Sequence, residues 1–297
     1  MTSEAQAQIY TGYDIPATLA SGQTFAFNKT ADGFFGIADG KPVEISAQGG
    51  GYNIRCREAD ADFWRRYFDL DRSYATLLKE FIFNDNDNGG DDDIPDRFIG
   101  GKRFLTSCVN AFGGLRLLRQ PVWETVCEFI ISANNHQKRI EAIYKRISSN
   151  MGDAAEWNGR IYHAFPSAQK LAAADESDMR AMGLGYRAPY LLDTAKKLAN
   201  DGFPDLNGYE YEDAVGYLTG LRGVGEKVAD CVLLFATNHQ KAFPVDVWIE
   251  RALREHYGMI GTRHKLKLEA QALFGEAAGI AQQFLFHGMR SRLNAER

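Results

Sequence analysis

One stretch limits what this chain can fold into more than any other: YLTGLRGVGEKVADCVLLFATNHQKAFPVDVWIE, residues 217–250. Ala214, Tyr217 and Leu218 before its turn, and Val228, Cys231, Val232 and Phe235 after it, recur at the spacing of a helix with one buried face. Between them lies Leu221-Arg222-Gly223-Val224-Gly225, whose two glycines allow positive φ and close approach of a second backbone. The spacing predicts a helix-turn-helix hairpin over about 211–237. Its open N–H groups suit one phosphate of a DNA strand and read no sequence. Lys227 falls in the first turn of the second helix. The positive end of the helix dipole disfavours an ammonium there, which favours the neutral and nucleophilic amine. Nineteen residues on comes Phe243-Pro244-Val245-Asp246-Val247-Trp248, where the proline holds the chain extended and Asp246 falls at the N-cap of a helix over Val247–Tyr257. Taken singly, such a lysine is a solvated charge and such an aspartate a cap. Their joint presence on a phosphate-shaped hairpin weakens both ordinary readings.

The run G-V-G-x-K-V-A-D-C followed by P-V-D-V resembles the helix-hairpin-helix and Gly/Pro/Asp signature of the DNA base-excision glycosylases, the HhH-GPD superfamily. In form it is most similar to the 8-oxoguanine DNA glycosylase/AP lyase branch. The resemblance implies that Lys227 attacks the sugar C1′ and forms a Schiff base. It implies that Asp246 assists that step and stabilises positive charge developing on the sugar.

With 297 residues the chain can form two or three compact units, and its 45% hydrophobic and 25% charged content is that of an ordinary globular protein. No run reaches the length of a membrane span, and the N-terminus lacks an export pattern. Cys56, Cys108, Cys127 and Cys231 are scattered without C-x-x-C spacing, which points to a reducing, intracellular compartment and away from zinc. For a DNA partner that compartment is the bacterial cytoplasm (nucleoid) or a eukaryotic nucleus. The same scatter excludes the cysteine cluster of the iron–sulfur branch of the superfamily. Net charge is −5, but residues 1–100 carry −8 and residues 101–297 carry +3, so a basic cleft beside the hairpin is allowed.

Residues 10 to about 58 read as an antiparallel sheet, with alternating runs 24–28, 34–38, 43–45 and 52–55 separated by Asp32-Gly33, Asp39-Gly40 and Gly49-Gly50-Gly51. Helical patterns follow over 61–68 and 74–83, and from Gly113 through Gln120 into a helix begun by Pro121. The acidic run 84–96 hints at a calcium loop, but neither register supplies every ligand, and it reads as an exposed loop. Further helices are predicted over 188–199, Val247–Tyr257, 266–274 and 277 to about 293. The expected fold is α+β, with an N-terminal antiparallel sheet domain and its flanking helices over 1–112 and a helical HhH-GPD region over 113–297. An active-site cleft lies between the subdomains, and the last helix lines the base pocket.

The resemblance extends from Ser21 to Phe286 and assigns further roles. Ser21-Gly22-Gln23-Thr24-Phe25 is similar to a segment whose glycine carbonyl accepts the N7–H that distinguishes 8-oxoguanine from guanine. That is a sound discriminator, because guanine N7 is itself an acceptor. By the same resemblance Cys231 and Phe286 stack on the two faces of the flipped base, and Gln282 bonds its Watson–Crick edge. Asn134 fills the hole left in the duplex, Arg139 reads the opposite cytosine, and Tyr186 and Arg187 wedge beside and bond that cytosine. Gly223, Val224 and Gly225 hold a phosphate. The chain departs from the family pattern at His136, where an asparagine is usual, and at Trp248, where a histidine is usual. The implied reaction is removal of 8-oxoguanine opposite cytosine from duplex DNA, followed by β-elimination, by a monomer. No redox or organic cofactor and no metal at the catalytic residues is implied, though a cation on the Gly223 and Gly225 carbonyls fits. Two rivals stay open: a monofunctional glycosylase for alkylated bases, which does not need Lys227, and a non-catalytic hairpin module that only binds DNA.

Overall fold

In the computed structural model, which describes residues 4–9, 12–79, 98–200 and 202–295, the chain is α+β, a sheet at the N-terminal end beside a helical body. Strands β1 (Glu4–Ile9), β2 (Phe27–Lys29), β3 (Gly33–Ala38), β4 (Lys41–Gln48) and β5 (Gly51–Arg57) form one antiparallel sheet in the order β1-β5-β4-β3-β2. Val43 pairs with Cys56 and Ile45 with Ile54, which puts these buried side chains on one face. Trp64, Tyr67 and Phe68, from helix α2 (Ala61–Tyr67) and the residue after it, cover that face.

Two features of this region differ from the sequence reading. The run EAQAQI of β1 has a single β-branched residue, Ile9, at its end, too little to mark it, and its pairing with β5 makes it a strand regardless. Residues Ile15–Ala20 form a helix, α1, inside the stretch expected to be all β. Asp14 caps it by accepting the Ala17 N–H at 2.9 Å, and a proline sits in its first turn. Residues 21–26 are consequently neither helix nor strand.

The body continues with α3 (Tyr74–Lys79), α4 (Ile99–Phe112), α5 (Val122–Ser132) and α6 (Gln137–Met151). The acidic run 84–96 and the end of the helix expected over 74–83 lie outside the described residues. The helix expected from Gly113 is absent. Its N–H groups are committed elsewhere: Leu117 to Tyr74 Oη at 2.9 Å, Leu118 to Gln23 Oε1 at 2.9 Å, Arg119 to Tyr67 O at 2.8 Å and Gln120 to Phe235 O at 2.7 Å. These tertiary bonds replace a local ladder and sew the sheet domain to the helices. A short hairpin follows, β6 (Ala154–Trp157) and β7 (Arg160–His163), turning on Asn158-Gly159 with φ of +55° and +71°. The sequence reading overlooked it, although Asn-Gly is a strong two-residue hairpin signal.

The chain closes with α7 (Ala168–Ala172), α8 (Glu176–Met179), α9 (Ala188–Leu198), α10 (Tyr211–Thr219), α11 (Glu226–Ala236), α12 (Val247–Tyr257), α13 (Arg263–Phe274) and α14 (Ala278–Ala295). Helix α5 is the central one, and it buries two carboxyl groups against the sheet domain. Glu124 Oε1 accepts the Asp39 N–H at 2.8 Å, and Glu128 Oε1 accepts the Phe25 N–H at 2.9 Å. Burial pushes the Glu124 carboxyl from 4.5 up to about 8 and holds the Glu128 carboxyl well above its ordinary value. Burial thus favours the neutral form of both, which lowers the cost of burying two carboxyl groups.

Candidate active site

The hairpin forms as predicted, with α10 and α11 on either side of residues 220–225. Only Gly223 has positive φ, at +85°, and a Cβ there would lie 2.5 Å from the Tyr190 ring, so this glycine lets the turn seat on α9. Gly225 is extended, with φ −92° and ψ 178°, contrary to the expectation that both glycines use left-handed backbone. It occupies the N-cap of α11, and space is open where its Cβ would be. Val224 is buried and its N–H bonds Leu221 O at 3.1 Å, so the open donors are those of the first turn of α11.

Lys227 points from that first turn toward α5, with Nζ 5.0 Å from the Phe129 ring centroid. Asp246 caps α12, where its Oδ1 accepts the N–H groups of Trp248 at 3.0 Å and Ile249 at 2.9 Å. This leaves its second oxygen outside the cap. Burial raises the Asp246 carboxyl, while the two N–H groups and the Lys227 ammonium pull the other way.

Lys227 and Asp246 line one cavity of about 50 Å³ with Gly22, Cys231, Gln282 and Phe286, so six residues from four separate parts of the sequence meet. Ser21, Phe129, Phe235, Pro244 and Gln283 complete the wall. Space of this size holds a few waters. Admitting a purine requires a wall to give, and of the lining rings only Phe286 is partly exposed. The Arg290 guanidinium lies over that ring at 5.3 Å and donates to Gln137 Oε1 at 2.6 Å, joining the cavity to the start of α6. Burial pushes the Cys231 thiol up to about 11, so it is a neutral, polarisable wall and no nucleophile.

Two acceptors in this wall lack partners. Gln282 donates through Nε2 to Pro244 O at 3.1 Å, while its buried Oε1 has no hydrogen bond. Gly22, with φ +79°, has a carbonyl to which no donor among the described residues is bonded. The Gln282 oxygen is buried, and a buried acceptor without a partner costs free energy until a ligand donor arrives.

The four other candidate DNA contacts cluster at the end of α5 and the approach to α9. Asn134 has φ +48° and donates to Tyr186 Oη at 3.3 Å, and Tyr186, which is 45% exposed, donates to Ala133 O at 3.2 Å. Arg139 is exposed, and among the described residues its side chain reaches Gly183 O alone, at 3.4 Å. Arg187 stands differently from expectation. It is buried beneath the Tyr186 ring, and its guanidinium is spent on the carbonyls of Ala133, Asn134 and Leu184. In this conformation it braces the loop that carries Asn134. His136 takes the N-cap position of α6 without a side-chain capping bond, and Trp248 is half-buried in the first turn of α12. Sequence reasoning gave no role to Phe129, Gln283 or Arg290. The first reads as core, and nothing local marks the other two.

A sheet domain beside a helical body, with a helix-hairpin-helix lysine and a capping aspartate on one cavity, defines a base-excision DNA glycosylase architecture. The chain belongs to the HhH-GPD superfamily of base excision DNA repair proteins, whose model matches residues 127–275, and the 8-oxoguanine DNA glycosylase N-terminal domain model matches residues 8–126. A probable N-glycosylase/DNA lyase of Methanothermobacter thermautotrophicus is 32% identical over 95% of this chain and 95% of its own length. The N-glycosylase/DNA lyase of Saccharomyces cerevisiae is 36% identical over 52% of this chain, a match that spans 45% of the yeast protein. Among solved structures, the Clostridium acetobutylicum 8-oxoguanine glycosylase/lyase bound to duplex DNA with cytosine opposite 8-oxoguanine superposes with a TM-score of 0.85. It is 30% identical and covers 99% of this chain and 98% of that one.

Proposed function

We propose that this protein is a bifunctional DNA glycosylase/AP lyase that excises 8-oxoguanine, preferentially opposite cytosine, from duplex DNA. The observation that carries the reading is the cavity: an amine, a carboxylate and the unpaired Gln282 Oε1 share it, with Gly22 in its wall. 8-Oxoguanine offers donors on two edges, N7–H and the Watson–Crick N1–H. Gly22 O takes the first and Gln282 Oε1 the second. Guanine fails at Gly22, where its N7 lone pair opposes the carbonyl. Cys231 and Phe286 close on the two faces of the base, with Phe286 swinging to admit it.

In its neutral form Lys227 Nζ attacks C1′. The C1′–N9 bond breaks, its electron pair leaves with the base, and the base takes up a proton. The free oxygen of Asp246 stabilises positive charge on the sugar and accepts the proton lost by the amine. Ring opening gives the Schiff base, loss of the C2′ proton expels the 3′ phosphate, and water then frees Lys227. Flipping the base costs a few kcal/mol, which Asn134 and Tyr186 in the vacated stack help offset. Arg139 donates to the opposite cytosine, and the turn at Gly223, Val224 and Gly225 holds a backbone phosphate. Arg187 joins them by leaving its loop carbonyls for the cytosine.

The reaction needs no redox or organic cofactor, and the protein acts as a monomer. A cation at the turn would meet one carbonyl without a hydrogen bond, that of Gly223, and one that starts the α11 ladder, Gly225 O accepting from Ala229 at 2.9 Å. The unit boundary we favour falls at 112/113. No helix among the described residues is long and apolar enough to cross a membrane. Excision assays on duplexes with one 8-oxoguanine opposite each of the four bases, and on duplexes with one 3-methyladenine, test the reading. Nicking fastest at 8-oxoguanine opposite cytosine is expected. Release of the alkylated base without strand cleavage would assign a monofunctional enzyme instead.

A further inference from the structure

The carbonyl of Gly22 reads a base only if it is held still, and the irregular segment around it has no ladder of its own to hold it. Its neighbours are clamped from other elements. On one side, Gln283 Nε2 of α14 donates to Ser21 O at 3.2 Å. On the other, Gln120 Nε2 donates to Gln23 O at 2.7 Å, and the Gln23 amide accepts from Leu118 N–H at 2.9 Å and donates to Arg116 O at 2.8 Å. Beyond it, Phe25 N–H is fixed on Glu128. Gly22 O is thus the free carbonyl between two occupied ones.

Of these clamping side chains, Gln283 alone lines the cavity. It is 2% exposed, and its bond crosses 262 positions of sequence, from the last helix back to the start of the chain. A buried amide packs at greater cost than an aliphatic side chain unless its hydrogen bond is used. Its neighbour Gln282 faces the same cavity. One turn of α14 therefore sets both the acceptor on the Watson–Crick edge and the position of the acceptor at N7. Resting on the function proposed above, we propose that Gln283 is a positioning residue for base discrimination: by gripping Ser21 O it aims the Gly22 carbonyl at the N7–H of 8-oxoguanine.

The test uses the full chain and two variants of similar length, Gln283→Met, which cannot donate, and Gln283→Glu, which donates only when protonated. Single-turnover excision of 8-oxoguanine and of guanine is measured in matched duplexes, beside cleavage at a preformed abasic site, which presents no base for Gly22 to read. Gln283→Met should slow 8-oxoguanine excision about 10- to 100-fold and narrow the 8-oxoguanine-to-guanine ratio. Abasic-site cleavage and Tm should stay near wild type. Gln283→Glu should show the same defect at pH 8 and recover, relative to wild type, as pH falls toward 5.5, whereas Gln283→Met should not. A wild-type excision ratio in Gln283→Met overturns the proposal. An equal loss of excision and abasic-site cleavage overturns it too, by showing a purely structural role. Wild-type protein that leaves 8-oxoguanine in duplex DNA defeats the functional reading first, and this one with it.

Discussion

On the proposed mechanism, Asp246 serves two purposes with its two oxygens. Oδ1 caps α12 through Trp248 and Ile249, and the other oxygen is left for chemistry at the cavity shared with Lys227. Asp246→Asn keeps an oxygen for the cap and removes the charge. We expect Tm to hold within a few degrees while the single-turnover excision rate drops by about a hundredfold or more. A fall in Tm with little loss of rate would make Asp246 only a cap. Arg139 presents the opposite case, an exposed guanidinium whose one bond among the described residues is a long one to Gly183 O at 3.4 Å. Arg139→Ala should leave stability alone and flatten the rate difference between 8-oxoguanine opposite cytosine and opposite adenine. An unchanged preference would move that role to another residue. Spacing and resemblance named Lys227, Asp246 and Gln282 in the sequence, and the structure brings all three to one cavity. The burial of Arg187 was not legible, since it depends on where the carbonyls of residues 133 and 134 lie.

Elements were legible where periodicity and caps agree. Helix α12 begins and ends where Asp246 and Gly258 place it, Gly258 supplying the left-handed residue that stops it. Residues 113–120 misled because their helical pattern is overruled by bonds to Tyr74, Gln23, Tyr67 and Phe235, none of them local. Helix α5 carries a second consequence that pattern alone does not give, the neutral Glu124 at its start. Its folded pKa of about 8 exceeds the unfolded 4.5. The folded state thus binds the extra proton, and stability from this group is full below pH about 4.5 and is lost as pH rises toward 8. Glu124→Gln retains an acceptor for the Asp39 N–H and has no proton to lose. Urea unfolding should find the variant matching wild type near pH 5 and more stable at pH 8, by up to about 3 kcal/mol. A pH-independent difference would show that Glu124 does not titrate as placed.

At the scale of the whole molecule, the sheet domain and the helical body meet through polar bonds, one of which reaches the cavity wall. Asp69 pairs with Arg119 at 3.6 Å, Arg72 donates to Gln240 Oε1 at 2.9 Å, Glu128 holds Phe25, and Gln283 holds Ser21. The Gly22 wall belongs to one side of this seam and the Lys227 wall to the other, so the cavity exists only when both are docked. The sequence displayed its catalytic half openly, because a hairpin, a lysine and an aspartate lie close along the chain. The reading half stayed obscure beyond Gly22, because its supports come from residues 120, 128 and 283, which only the fold assembles. The central claim is that Lys227 is the attacking amine, and borohydride trapping on a duplex with 8-oxoguanine opposite cytosine tests it most directly. Wild-type protein should form a covalent complex whose modified peptide contains Lys227, while Lys227→Gln should bind the duplex with near-normal affinity, trap nothing and leave the strand intact. Trapping or nicking at the normal rate by Lys227→Gln would contradict the account.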